Sequence, residues 1–157
     1  MESLIKPEHV LQQAFSPEEG FPPEAITIQD IVSAEERYLI PIIGRKLYQK
    51  FASGNQPEFV REYLAAPLAL YTRAMLQPRL NLKTGALGTT SPRTNLSTPA
   101  QRASCHDLQR SLLRQARALM TRATDYLATH APEFPEYDPS SDPLNHCSLD
   151  GNMVQIF

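Results

Sequence analysis

Cysteine occurs only twice, at Cys105 and Cys147. Two cysteines do not make a disulfide framework, so a reducing compartment is the default expectation. No apolar run approaches the roughly 20 residues that a membrane-spanning helix needs. The first residues, "MESLIKPEHVLQQ", lack the basic stretch and apolar core of a secretory signal. Residues 123–157 contain six acids and not one Lys or Arg.

Groupings that carry catalysis are missing as well. His9, His106, His130 and His146 are scattered, and neither Cys105-His106 nor His146-Cys147 has a usual zinc-ligand spacing. Gly85 and Gly88 are not followed by the Lys-Ser/Thr pair of a phosphate loop. The acid pairs Glu18-Glu19 and Glu35-Glu36 read as solvated or ion-paired groups, although Glu35 lies close to an apolar helix face. The expectation is a chain without enzyme activity, catalytic residue, metal or cofactor.

What is present is an ordinary globular composition, 41% hydrophobic and 20% charged over 157 residues, which suits one soluble domain with a core. Charge is distributed in blocks. Residues 1–72 carry ten acids and six bases, for −4. Residues 73–122 carry nine bases against the single acid Asp107, for +8. Residues 123–157 carry −6. A basic middle between acidic ends suits a polyanion surface or complementary contacts between copies; the plainer alternative is a solvated Arg face paired with nearby acids.

Periodicity predicts an all-α, compact helical bundle. A short helix over Glu8–Phe15 leads into the turn-rich "SPEEGFPPEA". A helix is expected from near Pro23, with Ile28, Ile31, Val32, Glu35, Tyr38 and Leu39 at helical spacing. Pro41 is expected to break it by forcing the preceding residue out of helical geometry, and Gly44 to complete a corner. A helical stretch follows from Pro57 to Leu80, with a kink or a split expected from Pro67 and Pro78. Residues 81–98 form a long loop that allows a β-hairpin turning near Thr84-Gly85. One long C-terminal helix is expected within Thr98–His130, packing Leu108, Leu112, Leu119 and Leu127 inward. Arg110, Arg114 and Arg117 fall on an arc beside this face, about 60° wide at ~100° per residue. The organisation is an N-terminal arm over 1–23, a helical domain over 24–131, and a Pro-rich acidic C-terminal arm over 132–157.

The stretch "ITIQDIVSAEERYLIPIIGRKLY" resembles a group of small, mostly helical proteins encoded by phages and prophages of the Bacteroides group. The resemblance lies in Ala34, Glu35, Tyr38, Leu39, Pro41, Ile42, Ile43, Gly44, Leu47 and Tyr48. Asn81 and Gly85, then Tyr126-Leu127, then the exit at Phe134, Pro135 and Tyr137 agree with it. It covers roughly residues 24–138. These proteins are similar in layout to head–tail connectors, which assemble as a ring below the portal around the DNA channel of tailed phages.

The resemblance implies a non-catalytic structural subunit. Its partners would be further copies of itself, the portal, and tail or stopper proteins, with DNA passing through the channel and no membrane. Its place would be the bacterial cytoplasm during assembly and then the virion. Candidate assembly or DNA-facing residues are Lys83, Arg93, Arg110, Arg114 and Arg117. Tyr38, Leu39, Pro41, Ile43, Gly44 and Tyr48 form the fold-signature corner. The alternative is a helical nucleic-acid-binding module whose Arg-rich helix face contacts phosphates.

Overall fold

A computed structural model describes residues 3–19, 21–80, 83–85, 88–90, 102–150 and 153–156. The fold is all-α. Five helices occur among these residues: α1 is Pro7–Ala14, α2 spans 28–43, α3 is Arg45–Ala52, α4 spans 57–80, and α5 is Arg102–Thr129. Two short antiparallel hairpins accompany them. In the middle, β1 (Lys83–Gly85) pairs with β2 (Gly88–Thr90). Near the C-terminus, β3 (Cys147–Asp150) pairs with β4 (Met153–Ile156). Thr84 and Gly85 therefore lie in a strand and not at the turn expected there.

α4 is the centre of the bundle. Leu68, Ala69, Leu70, Tyr71, Thr72, Ala74 and Leu76 are consecutive or nearly so, yet all are buried. A helix that is apolar around its circumference must be covered on several sides. α5 supplies the most extensive cover, while α1 and α2 pack against other parts of α4.

α2 starts later than the sequence suggests. Pro23–Ala25 is only a 3-10 turn, and the helix begins at Ile28 behind a capping box. The Thr27 N–H donates to Asp30 Oδ2 at 2.9 Å, and the Asp30 N–H donates to Thr27 Oγ1 at 3.3 Å. Arg79 from the end of α4 forks onto the same carboxylate, with both contacts at 3.0 Å. Partial burial pushes the Asp30 carboxyl upward, but the Arg79 and Thr27 hydrogen bonds outweigh it and hold it below its ordinary range.

Pro41 does not break α2, contrary to the sequence expectation. Ile40 before it keeps helical angles, φ −59 and ψ −40, and the helix continues to Ile43. The accommodation lies one turn earlier, where Glu35–Leu39 forms a π-helical turn. A helical proline clashes with the carbonyl four residues before it. For Pro41 that carbonyl belongs to Arg37, inside the widened turn. α4 repeats the device: Val60–Leu64 is π-helical, and the residue four before Pro67 is Tyr63. The helix also runs through Pro78, so neither expected interruption splits it.

The corner is made by Gly44 alone. Its φ of 82 and ψ of 148 lie where side-chain-bearing residues are unfavourable. Ile42 and Ile43 beside it are buried, as is Leu47 at the start of α3. The chain thus turns while its apolar residues stay in the core.

The C-terminal arm begins docked on this core. Phe134 and Tyr137 are buried within the main cluster, and Phe134 joins an aromatic group with Phe51, Phe59 and Tyr126. The Tyr137 hydroxyl donates to the buried Asp142 at 3.0 Å. Lys50 Nζ meets both oxygens of Glu136 at 3.1 and 3.0 Å, and these hydrogen bonds lower the Glu136 carboxyl.

Candidate functional site

α5 is 28 residues long, about 42 Å at ~1.5 Å per residue. Its buried residues are Leu112, Ala116, Met120, Ala123, Thr124 and Leu127. The five apolar ones fall within an arc of about 80°. This arc is rotated from the expected one. Met120 is fully buried at one edge of the arc, Leu119 is only half-buried, and Leu108 is exposed at 40%. Arg110, Arg114 and Arg117 are centred about 130° from the buried arc, on the far side of the helix and not on an arc beside it as expected. All three are exposed.

The electrostatics distinguish these arginines from the four that hold well-formed or cross-helix ion pairs, Arg45, Arg73, Arg79 and Arg122. Arg73 donates to the Ala14 carbonyl, pairs with Glu19 at 2.9 Å, and sits 4.4 Å over the Phe15 ring, fastening the N-terminal arm to α4. Arg79 pairs with Asp30, Arg45 with Glu36, and Arg122 with Glu62. Arg110 stands 4.0 Å from Asp107, with both side chains 75% exposed, a pair that solvent screens strongly. Arg114 and Arg117 make no ion pair or side-chain hydrogen bond among the described residues. Burial pushes the Tyr71 phenol up to about 12, with the Arg117 charge pulling the other way. The basic middle is therefore partly neutralised by acids from the first half of the chain, and a residual cationic strip stays open on α5.

Lys83 lies in β1. Arg93 lies outside the described residues, as does most of the 81–98 segment.

The corner residues fall into two groups. Leu39 and Ile43 are core residues, and Tyr38 stacks on Tyr71 with ring centroids 4.5 Å apart. Pro41 is exposed. Tyr48 belongs to a polar contact that the sequence reading missed. The Tyr48 hydroxyl donates to Glu35 Oε2 at 2.8 Å, and the Leu4 N–H donates to Glu35 Oε1 at 2.7 Å. Glu35 is fully buried, so its adjacent partner in sequence, Glu36, is the only solvated member of that acid pair. Burial raises the Glu35 carboxyl above its ordinary range, against the opposing pull of the two hydrogen bonds. The signal was the helical spacing that put Glu35 among Ile28, Ile31, Val32 and Leu39.

This arrangement ties together the N-terminal arm, the π turn of α2 and the start of α3. It joins an acid to a phenol and a backbone N–H, which suits a structural tie. Among the described residues, no group of three or more His, Cys, Asp or Glu could hold a metal ion. No described helix is long and apolar enough to cross a membrane.

One family model matches residues 27–145, from the Thr27 cap of α2 to the residues before β3. The chain belongs to this family of unknown function, DUF6712. The match takes in the π turn, the Gly44 corner, all of α4 and α5, and the docked Phe134–Asp142 segment of this DUF6712 chain. No curated protein and no solved structure matches it.

Proposed function

We propose that this DUF6712 chain is a non-catalytic structural subunit of a phage or prophage particle, a head–tail connector that assembles as a ring below the portal. The observation that carries the reading is the exposed strip of Arg110, Arg114 and Arg117 on α5, turned away from the core and left largely without acid partners. A cationic strip on a rigid helix can meet an acidic surface on a neighbouring copy or the phosphates of DNA in a channel. The charge blocks of −4, +8 and −6 supply two unlike patches per copy, as a head-to-tail ring interface requires. The corner residues serve the fold, and the Arg strip serves assembly. In the cell the subunit acts in the cytoplasm during assembly and then within the virion.

The test sets native mass measurement and negative-stain imaging across protein concentrations beside a duplex-binding titration in salt. A connector subunit gives closed rings, alone or with a portal, and binds duplex weakly as a monomer. Tight binding of isolated monomers to duplex, with a steep loss of affinity on adding salt, would replace this reading with that of a nucleic-acid-binding module.

A further inference from the structure

A groove of about 580 Å³ opens between the chain leading into α1, the start of α2, and the stretch from the end of α3 into α4. Small-ligand sites run from about 300 to about 1,000 Å³, so the groove has the size of one. Its floor is apolar and preformed, since Ile5, Phe51 and Val60 line it and belong to the buried core cluster. Leu4 beside them is held in place, because its N–H donates to the buried Glu35. Ile28 stands at the rim, 55% exposed. An apolar chain laid on this floor gains free energy by displacing its water.

The charged part of the lining has one sign. Lys6, His9 and Arg61 contribute to it, and among the described residues no Asp or Glu does. Neither Lys6 nor Arg61 makes an ion pair among the described residues. His9 Nδ1 accepts the Lys6 N–H at 3.3 Å, so in the neutral ring the proton sits on Nε2, which is left as a donor. Lys6, His9 and Gln13 recur at i, i+3 and i+7 along one side of α1, and all three line the groove. Cationic and donor groups therefore stand beside an apolar floor, a lining complementary to an anion with an apolar body. A peptide suits this floor poorly. Each of its residues brings an N–H and a C=O that need partners when buried, and the side chains of Ile5, Phe51 and Val60 offer none. A bilayer suits it poorly too, because Phe51 and Val60 lie in a recess and only Ile28 protrudes.

We propose that the groove binds a free single-chain carboxylate, a fatty-acid-like anion. Its chain lies on the floor of Ile5, Phe51 and Val60, and its carboxylate meets the cationic lining of Lys6, Arg61 and the His9 Nε2–H. This site goes beyond the connector reading and depends on neither the Arg strip nor ring closure.

Isothermal titration calorimetry of the full chain with dodecanoate, kept below its micelle concentration, reads affinity and stoichiometry. Dodecyltrimethylammonium and dodecyl maltoside present the same chain on a cationic and a neutral head. Dodecanoate should bind one to one, at least about tenfold more tightly than either, and more weakly as salt rises. Methyl NMR over the same titration should shift Ile5, Ile28 and Val60 while Leu127 on α5 stays in place. Lys6→Glu combined with Arg61→Glu changes two exposed positions, so the thermal melt should hold. That variant should lose about tenfold in dodecanoate affinity and leave the neutral probe unaffected.

Equal affinity for the three heads would overturn the proposal, as would the absence of saturable dodecanoate binding. Many chains bound per protein with loss of the melt would do the same. So would methyl shifts centred away from the groove, or an affinity that survives the charge reversal. Co-sedimentation with phosphatidylglycerol vesicles, without binding of free dodecanoate, would replace the amphiphile by a membrane surface and contradict the proposal.

Discussion

Gly44 stands at φ +82 with open space around the position where a Cβ would be. The cost of a side chain there is conformational, since nothing nearby would be struck. Gly44→Val should destabilise by about 1–3 kcal/mol, read from the midpoint of urea unfolding. An unchanged midpoint would contradict the assigned corner. Glu35 makes a prediction of a different kind. Its carboxyl is raised in the folded state above the ordinary value of 4.5, so the folded chain holds its proton longer than the unfolded chain. The stability associated with that proton is complete below 4.5 and is lost as pH rises through the folded value. Glu35→Gln should remove this downward slope, seen by denaturant titrations from about pH 4 to about pH 7. Identical slopes in both proteins would show that Glu35 does not titrate as described. Gly44 was legible from the sequence because few other residues suit such a turn. The fate of Glu35 was not, because its partners lie 31 residues before it and 13 after it.

At the level of elements, the sequence carried helix existence better than helix continuity. Hydrophobic spacing pointed to α2, α4 and α5, but Pro41 and Pro67 suggested breaks that the π turns absorb. A widened turn leaves no mark in apolar periodicity, so local reasoning about proline had no means of anticipating it. The inward face of α5 was legible to within a rotation. Leu112 and Leu127 were placed inside, while Leu108 was placed there in error and Met120 was passed over. Ala116 and Ala123 share the buried arc, so small residues set the face of α5 as much as leucines do. Leu112→Ala should cost about 2–5 kcal/mol, and Leu108→Ala should stay within about 0.5 kcal/mol of the wild type. Paired unfolding curves check both; equal losses would put the face back where periodicity drew it.

At the level of the whole molecule, the charge blocks seen in the sequence resolve into two kinds of arginine. Arg73, Arg79 and Arg122 join the middle of the chain to acids in its first half, while Arg110, Arg114 and Arg117 face outward. That division was invisible in the sequence, since it depends on which helix packs beside which acid. Deleting Lys83–Thr94 should likewise spare the helical core while blocking particle assembly, because the described core cluster is carried by the five helices and the segments that dock on them. A melt that collapses on deletion would make the segment structural instead. The central claim is that the open Arg strip is an assembly surface. The most direct measurement is particle assembly by complementation with Arg110→Glu, Arg114→Glu and Arg117→Glu combined, with a thermal melt of the purified variant. The account predicts an unchanged melt and loss of particles, more severe than for the corresponding Ala substitutions because reversal adds repulsion. A normal particle yield from the charge-reversed chain would contradict it.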